Sequence, residues 1–214
     1  MTLSEIAKRY SWRNPNSSGL KLRRELIHNL LVRYDRPSVL DIGGTSEFWM
    51  LLFDVRLLEQ IELTCLNLRT PNNGQRFPQI KFMLGDARKL EHISDKIFDI
   101  VVTHSLIEHI GGWQQQRKVA ENIRRIGKSY FVQTPNLYFP VEPHFLLPLF
   151  QFVPKSLLIK MVKRFGRVGN VSDIENVQNL SLLTKKQLRS LFPDSVLFVE
   201  KILGLEKSFV AYRV

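Results

Sequence analysis

Between residues 38 and 133, short apolar runs alternate with longer stretches in which apolar side chains recur every three or four positions. Ser38 to Ile42 is such a run and closes on Gly43-Gly44, the pattern of a strand ending in a tight turn. Ser46 is placed to cap a helix whose apolar positions are Phe48, Trp49, Leu51, Leu52 and Val55. Ile61 to Leu68 is rich in β-formers and gives way to a loop at Pro71-Asn72-Asn73-Gly74. Ile80 to Leu84 predicts a third strand, closed by Gly85-Asp86, and Phe98 to Thr103 a fourth. Gly111-Gly112 precedes a helix running through Arg125, and Ser129 to Gln133 is a fifth strand stopped at Pro135. Strands separated in this way by helices or loops imply a parallel α/β sheet.

The flanks follow other patterns. Leu20, Ile27, Leu30, Leu31 and Tyr34 share a helical face, with Lys21, Arg23 and Arg24 largely off it. Residues 136–154 are rich in proline and aromatic side chains. Beyond them Leu157, Leu158, Met161, Val162 and Phe165 form a stripe opposite Lys155, Lys160, Lys163, Arg164 and Arg167. Thr184 starts a further helix to about Phe192, with Asp194 in the turn after it. Val196–Ile202 and Lys207–Arg213 are spaced to pair as a hairpin.

Composition narrows this picture. The chain has 214 residues, 31 Lys and Arg against 20 Asp and Glu, and a formal charge of +11. That excess is not spread evenly: residues 36–135 hold 13 basic and 11 acidic side chains, and the flanks 18 and 9. A partner for the charge would therefore meet the peripheral elements first. The lone Cys65 excludes a disulfide framework, a Cys zinc site and an iron–sulfur cluster. It sits inside a predicted strand, where a buried apolar role is expected, and it fits a reducing compartment. No apolar stretch follows a basic start as in a signal peptide, and the run from His144 to Val153 is too short and proline-interrupted to span a bilayer. The expected location is the cytoplasm. The basic stripe at 155–167 has two readings, a lid helix with its lysines in water or an interfacial helix at the periphery of an anionic membrane.

The chemistry is carried by the strand ends. Asp41-Ile42-Gly43-Gly44 sets backbone N–H groups against a ligand, although any sharp strand-to-helix turn favours glycine and the G-x-G-x-x-G of dinucleotide sites is absent. Its companions are Gly85-Asp86-Ala87, Phe98-Asp99-Ile100-Val101, Ser105-Leu106-Ile107-Glu108-His109 and Val132-Gln133-Thr134-Pro135-Asn136. With these in this order and spacing, residues 36–136 resemble the class I S-adenosylmethionine-dependent methyltransferases, particularly their small-molecule branch. The stretch from Asn136 to Pro154, with Glu142-Pro143-His144, looks like the same segment in methyltransferases of bacterial glycan and lipid-like metabolites.

The resemblance implies a Rossmann-like, seven-stranded, mainly parallel sheet with an antiparallel last strand. It implies one domain over 1–214: a helical extension at 1–35, a cofactor-binding core at 36–136, a lid or substrate segment at 137–180, and a C-terminal helix and hairpin at 181–214. S-adenosyl-L-methionine is the implied cofactor. Asp41, Gly43 and Gly44 would hold its methionine part, Asp86 and Ala87 its adenine, and His104 and Ser105 would lie beside the transferring methyl. Two positions depart from the family pattern. Thr45 stands where a third glycine is common, and Asn67 stands where an acidic residue usually grips the ribose. That loss of a charge-assisted pair is worth about 1–2 kcal/mol.

Methyl transfer requires mainly alignment, plus a base when the acceptor is a hydroxyl. His109 is the first candidate, with orientation of the following helix as its structural alternative. Glu142 and His144 are the second, with a rigid proline-bounded turn as theirs. Asp41, Asp86 and Asp99 are too scattered for a metal site. The function expected is methylation of a small metabolite, most simply on oxygen of a glycan, a glycolipid precursor or a quinone-like lipid. The rivals are an RNA methyltransferase, supported by the +11 charge; a non-catalytic cofactor-binding homologue, supported by Thr45 and Asn67; and a nicotinamide-dependent oxidoreductase. Nucleic acid is disfavoured as a partner because acids and bases nearly balance in the core.

Overall fold

The computed structural model describes residues 17–69, 79–140, 153–154, 156–157 and 180–214. Seven strands form one sheet: β1 (Ser38–Ile42), β2 (Glu62–Asn67), β3 (Lys81–Leu84), β4 (Phe98–His104), β5 (Gly127–Pro135), β6 (Val196–Ile202) and β7 (Leu205–Arg213). Their order is β3-β2-β1-β4-β5-β7-β6. β1 to β5 run parallel, whereas β7 is antiparallel to both β5 and β6. The expected parallel α/β sheet and its antiparallel last strand are both present.

Alternation along the buried strands separates two cores, one on each face of the sheet. On one face, Val39, Cys65, Ile100, Val102, Phe131 and Val210 meet α1 (Ser18–Leu31) and α2 (Ser46–Leu52). On the other, Leu40, Val101, Tyr130, Val132 and Phe209 meet α4 (Trp113–Ile126) and α5 (Lys185–Leu191). Cys65 is fully buried in the first core, the role its strand position predicts.

Local chemistry sets the helix ends, and two expectations need correction here. Thr45, not Ser46, caps α2: its Oγ1 accepts from the Phe48 amide at 3.3 Å. The helix also stops at Phe53, and Asp54 caps a separate turn, α3 (Val55–Leu58), so Val55 is exposed rather than on the apolar face. α5 carries a reciprocal cap, with Thr184 accepting from the Gln187 amide and Gln187 accepting from that of Thr184.

A third correction lies on α1. Leu20, Ile27, Leu30 and Leu31 are buried as expected, each worth about 1.5–3 kcal/mol. Arg23, expected largely off that face, is only 3% exposed. It is three residues after Leu20 and four before Ile27, which places it inside the stripe. A charge tolerates that position because it is paired: Arg23 Nε and Nη2 donate to the two carboxylate oxygens of Glu200 on β6 at 3.0 and 2.8 Å.

No helix among the described residues is long and apolar enough to cross a membrane. The predicted loop at 71–74 and all of the basic stripe at 155–167 but Leu157 lie outside the described residues.

Candidate functional site

The site lies at the carboxyl ends of β1 and β4, where a sheet of this order leaves room for a ligand. Asp41 is the last polar position of β1 and faces the core that contains α2. Its Oδ2 accepts from Trp49 Nε1 at 2.7 Å, and its Oδ1 is buried without a partner. Burial pushes the carboxyl up to about 7, against the lowering effect of the indole hydrogen bond.

The turn after β1 is built of glycines that leave room for that carboxylate. Gly43 has φ +78°, a left-handed conformation that glycine adopts freely, and its amide donates to the Leu66 carbonyl at 2.8 Å. At Gly44 a Cβ would stand 2.2 Å from Asp41 Oδ2. Asn67, at the end of β2, donates its side-chain amide to the Gly44 carbonyl at 2.9 Å and so ties the turn to the neighbouring strand.

The opposite wall comes from the end of β4. Ser105 turns the chain with φ +49°, strained for a side-chain-bearing residue, and is held by two hydrogen bonds to Gln133: amide to carbonyl at 3.1 Å and Oγ to Oε1 at 3.0 Å. His104 stacks on Phe48 with ring centroids 4.6 Å apart and an interplanar angle of 17°. Asp41, Gly43, Gly44, Thr45, Phe48, His104 and Ser105 enclose a cavity of about 180 Å³.

The structure therefore brings together five of the expected residues, Asp41, Gly43, Gly44, His104 and Ser105, with Asn67 bonded to the rim. Asp86 and Ala87 do not line this cavity. The Asp86 carboxylate is engaged by Arg88, whose Nε and Nη2 donate to it at 2.7–3.0 Å, and those bonds hold it below the usual carboxylate range. Ala87 is buried and its carbonyl accepts from Asn122 Nδ2 at 2.9 Å.

His109 also lies outside the lining residues. It closes a 3₁₀ turn, Ile107–His109, with Nε2 4.0 Å from Oε1 of the fully buried Glu108. Glu108 in turn accepts from Thr134 Oγ1 at 2.9 Å, and its carbonyl accepts from the Ser181 amide at 2.7 Å. Glu142 and His144 lie outside the described residues. No group of three or more metal-binding side chains occurs among the described residues.

Sequence reasoning did not assign roles to Phe48, Trp49, Gln133, Arg23 or Glu200. Trp49 had a usable signal: a polar-edged aromatic one turn into the helix that follows a buried acid. Glu200 had none, since its partner is 177 residues away.

The fold and turn have counterparts among known proteins. A family model described as a methyltransferase domain matches residues 40–130, from within β1 to within β5 and including the glycine turn. Two uncharacterized proteins of Mycobacterium tuberculosis are 35% identical over 60 residues, 28% of this chain, and the chain spans a fifth (20%) of their length. An O-methyltransferase family protein from Burkholderia thailandensis superposes with a TM-score of 0.58 at 14% identity, over 99% of this chain and 59% of that one. The 1,6-didemethyltoxoflavin-N1-methyltransferase of the same organism, solved with 1,6-didemethyltoxoflavin and S-adenosylhomocysteine, gives 0.57 at 14% identity, over 99% and 86%. A SAM-dependent methyltransferase from Aquifex aeolicus gives 0.52 at 11% identity, over 100% and 98%. The sheet order of the chain is thus shared with these methyltransferase structures, and the acid at the end of β1 and the glycine turn lie within the stretch that matches the methyltransferase domain model.

Proposed function

We propose that the protein is an enzyme that transfers a methyl group from S-adenosyl-L-methionine to a small metabolite, with oxygen of a glycan, glycolipid precursor or quinone-like lipid as acceptor. The observation that supports this most is the buried Oδ1 of Asp41, which has no hydrogen-bond partner, beside a glycine turn that lines the cavity. A buried carboxylate oxygen without a donor is costly, and a cationic ligand group would relieve it. The residues present fit the amino-acid end of such a cofactor: an acid at Asp41 and the backbone of the Gly43-Gly44 turn, all lining one cavity. The cofactor supplies an electrophilic methyl on a sulfonium, so the protein's task is alignment and exclusion of water.

In this reading Asp41, Gly43 and Gly44 hold the methionine part, and Asn67, through Oδ1, accepts one ribose hydrogen bond. Asp86 and Ala87 border the adenine, with the Asp86 carboxylate oriented by Arg88. His104 and Ser105 flank the transferring methyl. Residues 137–180 supply the lid over the acceptor, and His109, Glu142 and His144 are the candidates to take up or orient a proton. The small-molecule class is supported by the O-methyltransferase and N1-methyltransferase likenesses, and the acceptor atom by neither alone.

A thermal-shift panel tests the reading. S-adenosylmethionine and its demethylated product are expected to raise the melting temperature in a concentration-dependent way. Stabilisation by NAD alone would overturn it. Single-turnover transfer of labelled methyl groups into a metabolite extract then separates an enzyme from a cofactor-binding homologue without turnover.

A further inference from the structure

Besides Phe48, the His104 ring meets Arg23. Arg23 Nη1 lies 2.7 Å from His104 Nε2, completing a buried chain from β6 through α1 to the end of β4. Arginine has only N–H donors, so Nε2 must offer its lone pair, and the ring's proton is then on Nδ1. The imidazole in this contact is neutral, because an imidazolium has no lone pair to give.

The arrangement is well braced. Arg23 is 3% and Glu200 5% exposed, and the guanidinium reaches both carboxylate oxygens. Burial alone would raise the Glu200 carboxyl, but the Arg23 charge and the Ser208 hydroxyl that donates to it outweigh burial and hold it below the usual range. Gly19 lets the helix approach this pair: a Cβ there would stand 2.9 Å from Glu200 Oε1. Phe48 fixes the ring plane from its other side.

We propose that Arg23, braced by Glu200, is a positioning residue that holds His104 as the neutral, Nδ1-protonated imidazole, so that neither ring nitrogen can take up a proton. The role of the His104 wall of the cavity in methyl transfer rests on the function proposed above; the tautomer does not. If the wall does border the reacting methyl, a proton leaving the acceptor must go to another group.

Nitrogen-15 NMR of labelled protein at about pH 7, with His104 assigned by loss of its signals in His104→Gln, reads the tautomer directly. The expected result is a protonated Nδ1 and a lone-pair Nε2, with no ligand added. A proton on Nε2, or on both nitrogens, overturns the proposal. The double variant Arg23→Met/Glu200→Met removes the pair without stranding a buried charge. It is expected to shift the proton partly or wholly to Nε2, and an unchanged Nδ1 form in a folded double variant also overturns the proposal. Should the double variant fail to fold, Arg23→Met/Glu200→Gln carries the same test, because it too removes the donor to Nε2 without stranding a buried charge, and an unchanged Nδ1 form in it overturns the proposal. Failure of S-adenosylmethionine to stabilise the protein leaves these spectra untouched, so the two readings fail separately.

Discussion

Asp41 occupies a strand position where alternation asks for an apolar side chain, next to Val39's face of the core. Its carboxyl is raised from an ordinary 3.8 to about 7 by burial, so the folded protein binds this proton more tightly than the unfolded chain does. The stability that follows is present below about pH 4 and lost as pH rises through about 7. Measured as the difference between wild type and Asp41→Asn, wild type should lose ground over that window in chemical denaturation. A cationic ligand selects the ionised form. Affinity for S-adenosylhomocysteine should therefore fall by up to about tenfold per pH unit below about 7, and calorimetry on Asp41→Asn should show that slope gone and binding about 10–100-fold weaker at pH 8. Asn67 shows how a contact reverses a sequence-based expectation. Read from the family pattern, Asn67→Asp restores a ribose ligand and should tighten binding. In the structure the amide donates to the Gly44 carbonyl, and a carboxylate there would set two acceptors against each other. The variant should lower stability by about 1–3 kcal/mol in a thermal melt, with no simple gain in affinity.

At the scale of elements, β1 and β5 are legible because their side chains are buried on both faces and read as continuous apolar runs bounded by glycine or proline. β1 is bounded as Ser38–Ile42, as its pattern indicates, and β4 gains only His104. Helix ends were less legible. The break between α2 and α3 depends on Asp54 competing as a cap, and the cap Thr45 stands where the family pattern has a glycine, which hides its capping role. α1 was the instructive case: its apolar stripe was visible, but a charge inside a stripe can be understood only from its partner. That partner constrains the helix further. Gly19→Ala would press a methyl into Glu200 Oε1, which Arg23 and Ser208 hold in place. The variant should destabilise by about 1–3 kcal/mol in spite of alanine's better helix propensity, as measured by urea denaturation.

For the whole molecule, the balanced middle of the chain, residues 36–135, coincides with the first five strands of the sheet. Those strands and the turns after them carry both walls of the cavity, whereas the excess of basic residues lies before and after them in the sequence. Such a distribution predicts only weak, salt-sensitive contact with RNA. Filter binding at about 0.15 M salt should give a dissociation constant no tighter than about 1 μM, and a tight, sequence-selective complex would favour the RNA methyltransferase reading instead. Fold class and the main turn were readable because they rest on local pattern and short spacings. The cavity's supporting contacts were not, because Arg23, His104 and Glu200 come from three separated parts of the chain.

That separation bears on how the protein is made. Arg23 leaves the ribosome long before Glu200, 177 residues later, and until then it is a buried-face cation with no carboxylate to receive it. Helix α1 therefore cannot settle fully onto the sheet during synthesis of the first five strands. β7, emerging after β6, must also slip between β5 and β6 to complete the sheet. Nascent chains stalled before Val196 should expose α1 to protease, and release past Ser208 should protect it, so the site becomes whole only near the end of translation.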